Sequence, residues 1–336
     1  MTFAQSLLWP ASLLYGAGAR VRAWSYERGL LKQKRLSGTV ISVGNLTVGG
    51  TGKTPMVCWL AGRAVVDKKR VGILTRGYRG SAGSSDEAAL LQKRLGDAVP
   101  IGIGANRFNK GKELSARGVE WFILDDGFQH FQLARNLDIV LIDAVNPFGG
   151  GHLLPAGRLR EPISALSRAD IVVITRSEHA PAIEALIRRY SAAPIYYAQT
   201  KLERITMVAD PGTQFTVDAN SVDWLARKFF VFCGIGNPKA FLSDLERWGV
   251  NVAGWIAFRD HHFYSQSDMN AIERRAREAG ADTLLCTEKD TFNLKGARAI
   301  EFPIAYCVIS LAPIDAERFW LEVNSIVDAR RQEAAR

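Results

Sequence analysis

From Thr39 onward the chain repeats one pattern: a short unbroken apolar run, a loop, then a stretch of helical periodicity. The runs are Thr39–Val43, Val71–Thr75, Val119–Leu124, Leu137–Ile142 and Ile171–Thr175, and the first helix spans Lys53 to about Asp67. Apolar strands without alternation, separated by helices, predict a parallel sheet covered on both faces. Across Leu202–Val222 the pattern lapses into a polar stretch containing Pro211-Gly212. It resumes with strand Phe229–Cys233, helix Pro238–Trp248, strand Val252–Phe258, helix Ser267–Ala279 and strand Thr283–Cys286. We therefore expect an α/β core over residues 36–200, a hinge over 201–225 and a second, smaller α/β domain over 226–336.

The first 35 residues differ from the rest. Thr2–Ala19 carries no charge, and Phe3, Leu7, Leu14, Ala17, Val21 and Trp24 fall on one helical stripe. Arg20, Arg22, Arg28, Lys32, Lys34 and Arg35 follow, against a single Glu27. An amphipathic helix leading into a basic cluster predicts attachment to an anionic membrane surface. The competing reading is a helix packed on the domain. Ala17-Gly18-Ala19 imitates a signal-peptidase site, but no Lys or Arg precedes Leu7. No apolar run is long enough to predict a spanning helix.

Composition narrows the class. Over 336 residues, 47% are hydrophobic and 23% charged, which excludes disorder over most of the chain. The net charge of +9 suits an anionic partner without choosing one. Cys58, Cys233, Cys286 and Cys307 lie far apart, with no metal spacing, and read as thiols in a reducing compartment.

The strongest local signal is Thr47-Val48-Gly49-Gly50-Thr51-Gly52-Lys53-Thr54, directly after a strand and opening a helix. Glycines let backbone N–H groups converge on a phosphate, and the helix N-terminus adds its dipole. Lys53 would reach the β- and γ-phosphates and the Thr54 hydroxyl would ligate Mg²⁺. Thr47 stands where the strict pattern has glycine, which leaves the glycines nearest the phosphates in place. Trp121–Leu124 followed by Asp125-Asp126 reads as a strand ending in metal-holding carboxylates. Gly127-Phe128-Gln129-His130 continues at the same sheet edge. Weaker signals are Arg76-Gly77-Tyr78, Asp86-Glu87, Asn106-Arg107, Gly157–Pro162, Asp260-His261-His262 and Thr287-Glu288-Lys289-Asp290. Taken singly, each reads as a solvated loop. Gly234-Ile235-Gly236-Asn237-Pro238 lacks the third glycine of a dinucleotide fingerprint and reads as a tight turn.

In order and together, these segments resemble the tetraacyldisaccharide 4′-kinases, the lipid A 4′-kinases of bacteria with an outer membrane. Leu124–His130 and Leu154–Pro162 are the most specific parts of the match, which covers nearly the whole chain. The resemblance implies a P-loop NTPase-type α/β fold and transfer of the γ-phosphoryl of ATP, with Mg²⁺, to the 4′-hydroxyl of a tetraacyldisaccharide 1-phosphate. It implies Asp86 as general base, assisted by His261, and Thr54, Asp125, Asp126 and Glu161 around the metal. It also implies residence at the cytoplasmic face of the inner membrane and no nucleic-acid partner. Two rivals remain from the residues alone: a P-loop switch ATPase, and a soluble kinase of nucleotides or sugars.

Overall fold

The computed structural model describes residues 3–77, 86–208, 216–218, 224–294 and 301–335. They form two units, residues 1–199 with 311–336, and residues 200–310.

In the first unit α1 (Phe3–Glu27) precedes the sheet, whose strands are β1 (Thr39–Asn45), β2 (Val71–Thr75), β3 (Ile101–Ile103), β4 (Trp121–Asp125), β5 (Leu137–Asp143), β6 (Ile171–Thr175) and the start of β7 (Ile195–Val208). Their order is β7-β6-β5-β1-β4-β2-β3, every pair parallel. Helices α2 (Lys53–Val66), α3 (Asp86–Leu95), α4 (Arg107–Ala116) and α5 (Pro181–Arg188) connect the strands. Strands β1, β4, β5 and β6 are buried along their whole length, as unalternating apolar runs require. One face of the sheet packs on α2 through Met56, Val57 and Leu60; the other is filled by Phe128, Val140 and Leu166. The predicted parallel sheet is thus present. Because β1 lies between β4 and β5, the loop after β1 has a β4 side and a β5–β6 side.

The second unit contains β8 (Thr216–Asp218), β9 (Phe229–Cys233), β10 (Val252–Ala257), β11 (Thr283–Thr287) and part of β12 (Ile304–Pro313), in the order β10-β9-β11-β12-β7 with β8 antiparallel to β7. Helices α6 (Pro238–Arg247) and α7 (Gln266–Glu278) cover it. Asn237 caps α6, and Ser265 with Asp268 forms a capping box on α7.

The expected domain boundaries differ from this division. Residues 201–208, expected as hinge, continue β7, and the chain passes between units inside that strand. The C-terminal α8 (Ala316–Ala335), expected in the second domain, belongs to the first unit, where Phe319, Trp320, Val323 and Val327 are buried beside α2 and β5. The apolar face of α8 supplies the physical reason, since it completes a core begun 250 residues earlier.

Helix α1 reverses the usual amphipathic arrangement. Its small residues Ser12, Gly16 and Ala23 face the protein, at helical spacing. Ser12 Oγ donates to the Leu153 carbonyl (3.1 Å) and accepts from the Ala156 N–H (2.9 Å). A Cβ on Gly16 would meet Leu153 Cδ1 at 2.6 Å. The large residues point away: Leu7 and Leu14 are 75% and 77% exposed, with Leu13, Val21 and Trp24 also exposed.

Candidate active site

The loop after β1 has the backbone geometry that a phosphate cradle requires. Gly49 and Gly52 adopt φ of 129° and 89°, and Gly52, at the N-cap of α2, offers no side-chain acceptor to the N–H groups of Lys53 and Thr54. Those donors and the helix dipole are open to an anion. At a φ of 89° any side chain at Gly52 is strained, and a Cβ there would also stand 2.7 Å from Leu311 Cδ1. Residues 158–160 brace the loop: the Val48 N–H donates to the Arg158 carbonyl (2.8 Å), and Arg158 Nε and Nη2 donate to the Val48 carbonyl. The charged loop seen in the sequence is therefore a support for the P-loop.

Lys53 Nζ donates to Asn45 Oδ1 at 3.2 Å and lies 3.4 Å from Asp126 Oδ1. Asp126, at the end of β4, has φ of 51° and receives Arg160 Nη1 on both oxygens at 2.7 Å. Burial opposes its charge, but Lys53 and Arg160 outweigh that and hold its carboxyl well below the usual carboxylate range. Asp125 is different. Its Oδ2 accepts from Thr75 at 3.4 Å, while its buried Oδ1 has no hydrogen-bond partner among the described residues. Burial first, then the charges of Glu87 and Asp126, push its pKa up to about 7. Glu161 is fully engaged: Arg168 Nη2 donates to both oxygens (2.9 and 2.8 Å), and Gln129 Nε2 donates to Oε1 (3.0 Å).

A cavity of about 740 Å³ opens beside these groups on the β4 side, bounded by Tyr15, Gly18 and Arg22 of α1 and by Arg76, Arg107, Asp126, His130 and Arg160. Four of these are arginines, so it suits an anionic occupant. Arg107 Nη1 donates to His130 Nδ1 at 3.1 Å, which places the ring proton on Nε2 when His130 is neutral. Burial and the nearby Arg107 and Arg135 lower the His130 pKa to about 4.

In the second unit, Asp290 accepts from the Gly234 N–H and the Tyr264 hydroxyl (both 2.8 Å), and from the N–H and hydroxyl of Thr287 (3.2 and 2.5 Å). One carboxylate thus ties three loops together, and the Gly234 carbonyl in turn accepts from the His261 N–H at 3.0 Å. His261 has φ of 59°, and Lys289 Nζ donates to its Nε2 at 3.2 Å. His262 is committed elsewhere: it stacks on Phe258 at 4.5 Å and contacts Asp268 at 3.1 Å. Gly234–Asn237 forms a short bend that leads from β9 into α6, which Asn237 caps.

The structure thus brings Lys53, Asp125, Asp126 and Glu161 to one end of the first sheet. Asp86 opens α3 in that unit, but its side chain, like residues 78–85, lies outside the described residues. His261 belongs to the second unit. Sequence reasoning missed Arg168, the bidentate partner of Glu161, whose guanidinium lies over the rings of Phe128 and Phe131 at 4.6 and 4.8 Å. It also missed the Asn45–Lys53 bond. Nothing in the spacing of either pair marks it.

The Asp125 geometry fits a divalent cation: a buried carboxylate oxygen without a partner, beside a P-loop whose first helical turn carries Thr54. Asp126 and Glu161, saturated by arginine and amide donors, are the poorer ligands.

The family model for tetraacyldisaccharide-1-P 4′-kinase matches residues 4–328. A tetraacyldisaccharide 4′-kinase of Geobacter sulfurreducens is 38% identical, with 91% of this chain and 88% of that protein covered. One from Geobacter metallireducens is 39% identical over 86% of this chain and 88% of its own. A crystal structure of LpxK from Aquifex aeolicus, in complex with ATP, superposes with a TM-score of 0.70 at 28% identity, covering 97% of this chain and all of that one. Family match, sequence relatives and fold agree, and the chain belongs to the tetraacyldisaccharide 4′-kinase family.

Proposed function

We propose that this chain uses its P-loop unit to transfer the γ-phosphoryl of ATP to the 4′-hydroxyl of a tetraacyldisaccharide 1-phosphate, with the roles below. As a member of its family it is a lipid A-pathway kinase dependent on ATP and Mg²⁺. The observation that carries the site reading is the juxtaposition of Lys53, held by Asn45 and Asp126, with the unpartnered oxygen of Asp125. Lys53 and the open N–H groups of α2 bind the phosphates. Lys53 exchanges part of its contact with Asp126 for phosphate oxygens as they arrive. Thr54 and Asp125 would hold Mg²⁺, which supplies charge neutralisation between phosphates. Arg160 keeps Asp126 ionised and in place, and Arg168 holds the Glu161 carboxylate in position.

The arginine-lined cavity receives the anionic disaccharide on the β4 side. A sugar hydroxyl is a poor nucleophile at neutral pH, so its proton must be accepted as the new bond forms. Asp86 is the proposed acceptor, with His261 assisting; the locked contacts of His262 favour His261 for this role. Asp86→Asn removes the charge while keeping the size and shape of the side chain at the start of α3, so little stability should be lost. We expect kcat to fall about 10²–10⁴-fold with ATP affinity nearly unchanged. Wild-type kcat across pH 6–9 in that variant would remove Asp86 from the mechanism.

The exposed face of α1 supports attachment to an anionic membrane, the cytoplasmic face of the inner membrane for an enzyme of this pathway. Its small residues pack on the protein while Leu7, Leu14, Val21 and Trp24 face outward, with Arg20, Arg22 and Arg28 alongside. That arrangement suits shallow insertion. Among the described residues no helix is long and apolar enough to cross a membrane.

A further inference from the structure

One amide joins the surroundings of Asp126 and Glu161. Gln129 Nε2 donates to Glu161 Oε1 at 3.0 Å and to the Asn45 carbonyl at 3.1 Å, while Gln129 Oε1 accepts from Arg160 Nη1 at 3.5 Å. The nitrogen faces two acceptors and the oxygen faces a donor, so the amide has a single orientation. Two acids and two arginines are linked through it, and each acid has its own guanidinium. Arg160 Nη1 donates to both oxygens of Asp126 at 2.7 Å, and Arg168 Nη2 to both oxygens of Glu161 at 2.9 and 2.8 Å. Chain order would suggest another pairing, since Arg160 adjoins Glu161 yet serves Asp126.

The Glu161 side chain is only 5% exposed, and a carboxylate buried to that degree is strongly unfavourable without a cation. Arg168 supplies it from the short turn before β6, with its guanidinium already fixed over the rings of Phe128 and Phe131. Without Arg168, Glu161 would draw on Arg160, whose Nη1 already reaches the Gln129 amide that Glu161 also binds. Asp126 would then fall back on its other cation, Lys53, 3.4 Å away. Lys53 would be held on the acid at the moment when phosphates must compete for it.

We propose that Arg168 is a positioning residue for the nucleotide phosphates: by satisfying Glu161 it leaves Arg160 to Asp126, and so leaves Lys53 able to turn from Asp126 to ATP. The proposal rests on the reading of Lys53 as the phosphate ligand, and adds the residue that keeps Lys53 available. Arg168 acts through Glu161 and Gln129 and needs no contact with ATP.

The test is isothermal titration of the full chain with ATP and, separately, with AMP, both with Mg²⁺. The proteins are wild type, Arg168→Met, Arg168→Lys, the double variant Arg168→Met with Glu161→Gln, and Lys53→Ala. A P-loop lysine reaches the β- and γ-phosphates, so AMP does not engage it. Arg168→Met should weaken ATP by about 10–100-fold, the equivalent of one hydrogen bond to a charged group, and leave AMP binding near wild type. The double variant, with no charge at either position, should recover most of the ATP affinity. Arg168→Lys, which keeps the cation, should retain most of it. Equal losses for ATP and AMP would mark a merely structural arginine and overturn the proposal. Unchanged ATP binding in Arg168→Met, or no recovery in the double variant, would overturn it too. If Arg168→Met does not fold, Arg168→Lys and the double variant decide. ATP affinity near wild type in both sustains the proposal, and a loss in either as large as that of Lys53→Ala overturns it. Wild-type ATP binding by Lys53→Ala would instead remove the phosphate role of Lys53 itself.

Discussion

Each of the two units buries an aspartate at the carboxyl end of its sheet, and the two are treated in opposite ways. Asp290 in the second unit is 1% exposed and receives four donors from three loops. Asp125 in the first is 2% exposed and leaves one oxygen with no partner among the described residues. A buried carboxylate surrounded by donors is a structural tie. One left half-satisfied costs stability, and that cost is sensible where an incoming cation completes the set. Burial alone therefore does not separate structure from chemistry here; the donor count does.

The comparison breaks if the two aspartates respond alike to substitution. Asp125→Asn should cost activity by at least about 10²-fold, because a neutral amide neither binds Mg²⁺ well nor balances Lys53. Its stability should change little or rise, since a buried carboxylate with an unpartnered oxygen is removed. Asp290→Ala should do the reverse, losing about 3 kcal/mol or more as four buried donors lose their acceptor. Its kcat under conditions that keep it folded should fall far less than that of Asp125→Asn. Steady-state kinetics paired with urea unfolding would show both.

A smaller effect sharpens the contrast through pH. With a folded pKa of about 7, Asp125 holds its proton in the native state over a range where the unfolded chain, near the ordinary carboxylate value of about 4, has lost it. The native state then binds more protons, so this group's contribution to stability declines as pH rises from about 4 to about 7. His130 acts with the opposite sign. Its folded pKa of about 4 lies below the ordinary value of about 6.5, so its contribution is lost as pH falls through that interval. Melting temperatures should therefore show Asp125→Asn gaining on wild type as pH rises from 4 to 7, with the gap constant above. A gap independent of pH would contradict the buried, raised Asp125.

The smallest expected effect concerns α1. Leu7→Ser with Leu14→Ser should weaken sedimentation with anionic vesicles while leaving melting and kcat on a short-chain acceptor near wild type, because both side chains already face outward. High salt should release part of the bound wild type. Unchanged vesicle binding would mean that the exposed stripe is not the attachment surface.

Much of this was legible in the sequence where the signal was local. The strand before Gly49, the helix opening at Lys53 and the strand closing on Asp125 all follow from apolar runs and glycines, and the structure places them within a residue or two. The stripe on α1 was legible as a helix, but its orientation was not. Which face is buried depends on Ser12, Gly16 and Leu153 meeting from distant parts of the chain. The same limit explains α8, whose return to the first unit is a contact between Trp320 and Asp67 and between Glu317 and Arg63. Among the four metal candidates, residue type could not separate Asp125 from Asp126 and Glu161. Only Arg160 and Arg168, which reach their acids across the fold, distinguish the engaged carboxylates of Asp126 and Glu161 from the Asp125 oxygen that has no partner among the described residues.

As a tetraacyldisaccharide 4′-kinase, the chain delivers phosphate to a lipid acceptor and not to water. The direct measurement is turnover of γ-labelled ATP with Mg²⁺, with and without tetraacyldisaccharide 1-phosphate in detergent micelles. Label should pass to the disaccharide, at a rate that vanishes without it and in Lys53→Ala. ATP hydrolysis at the same rate in the presence and absence of the acceptor, with no labelled lipid, would contradict it.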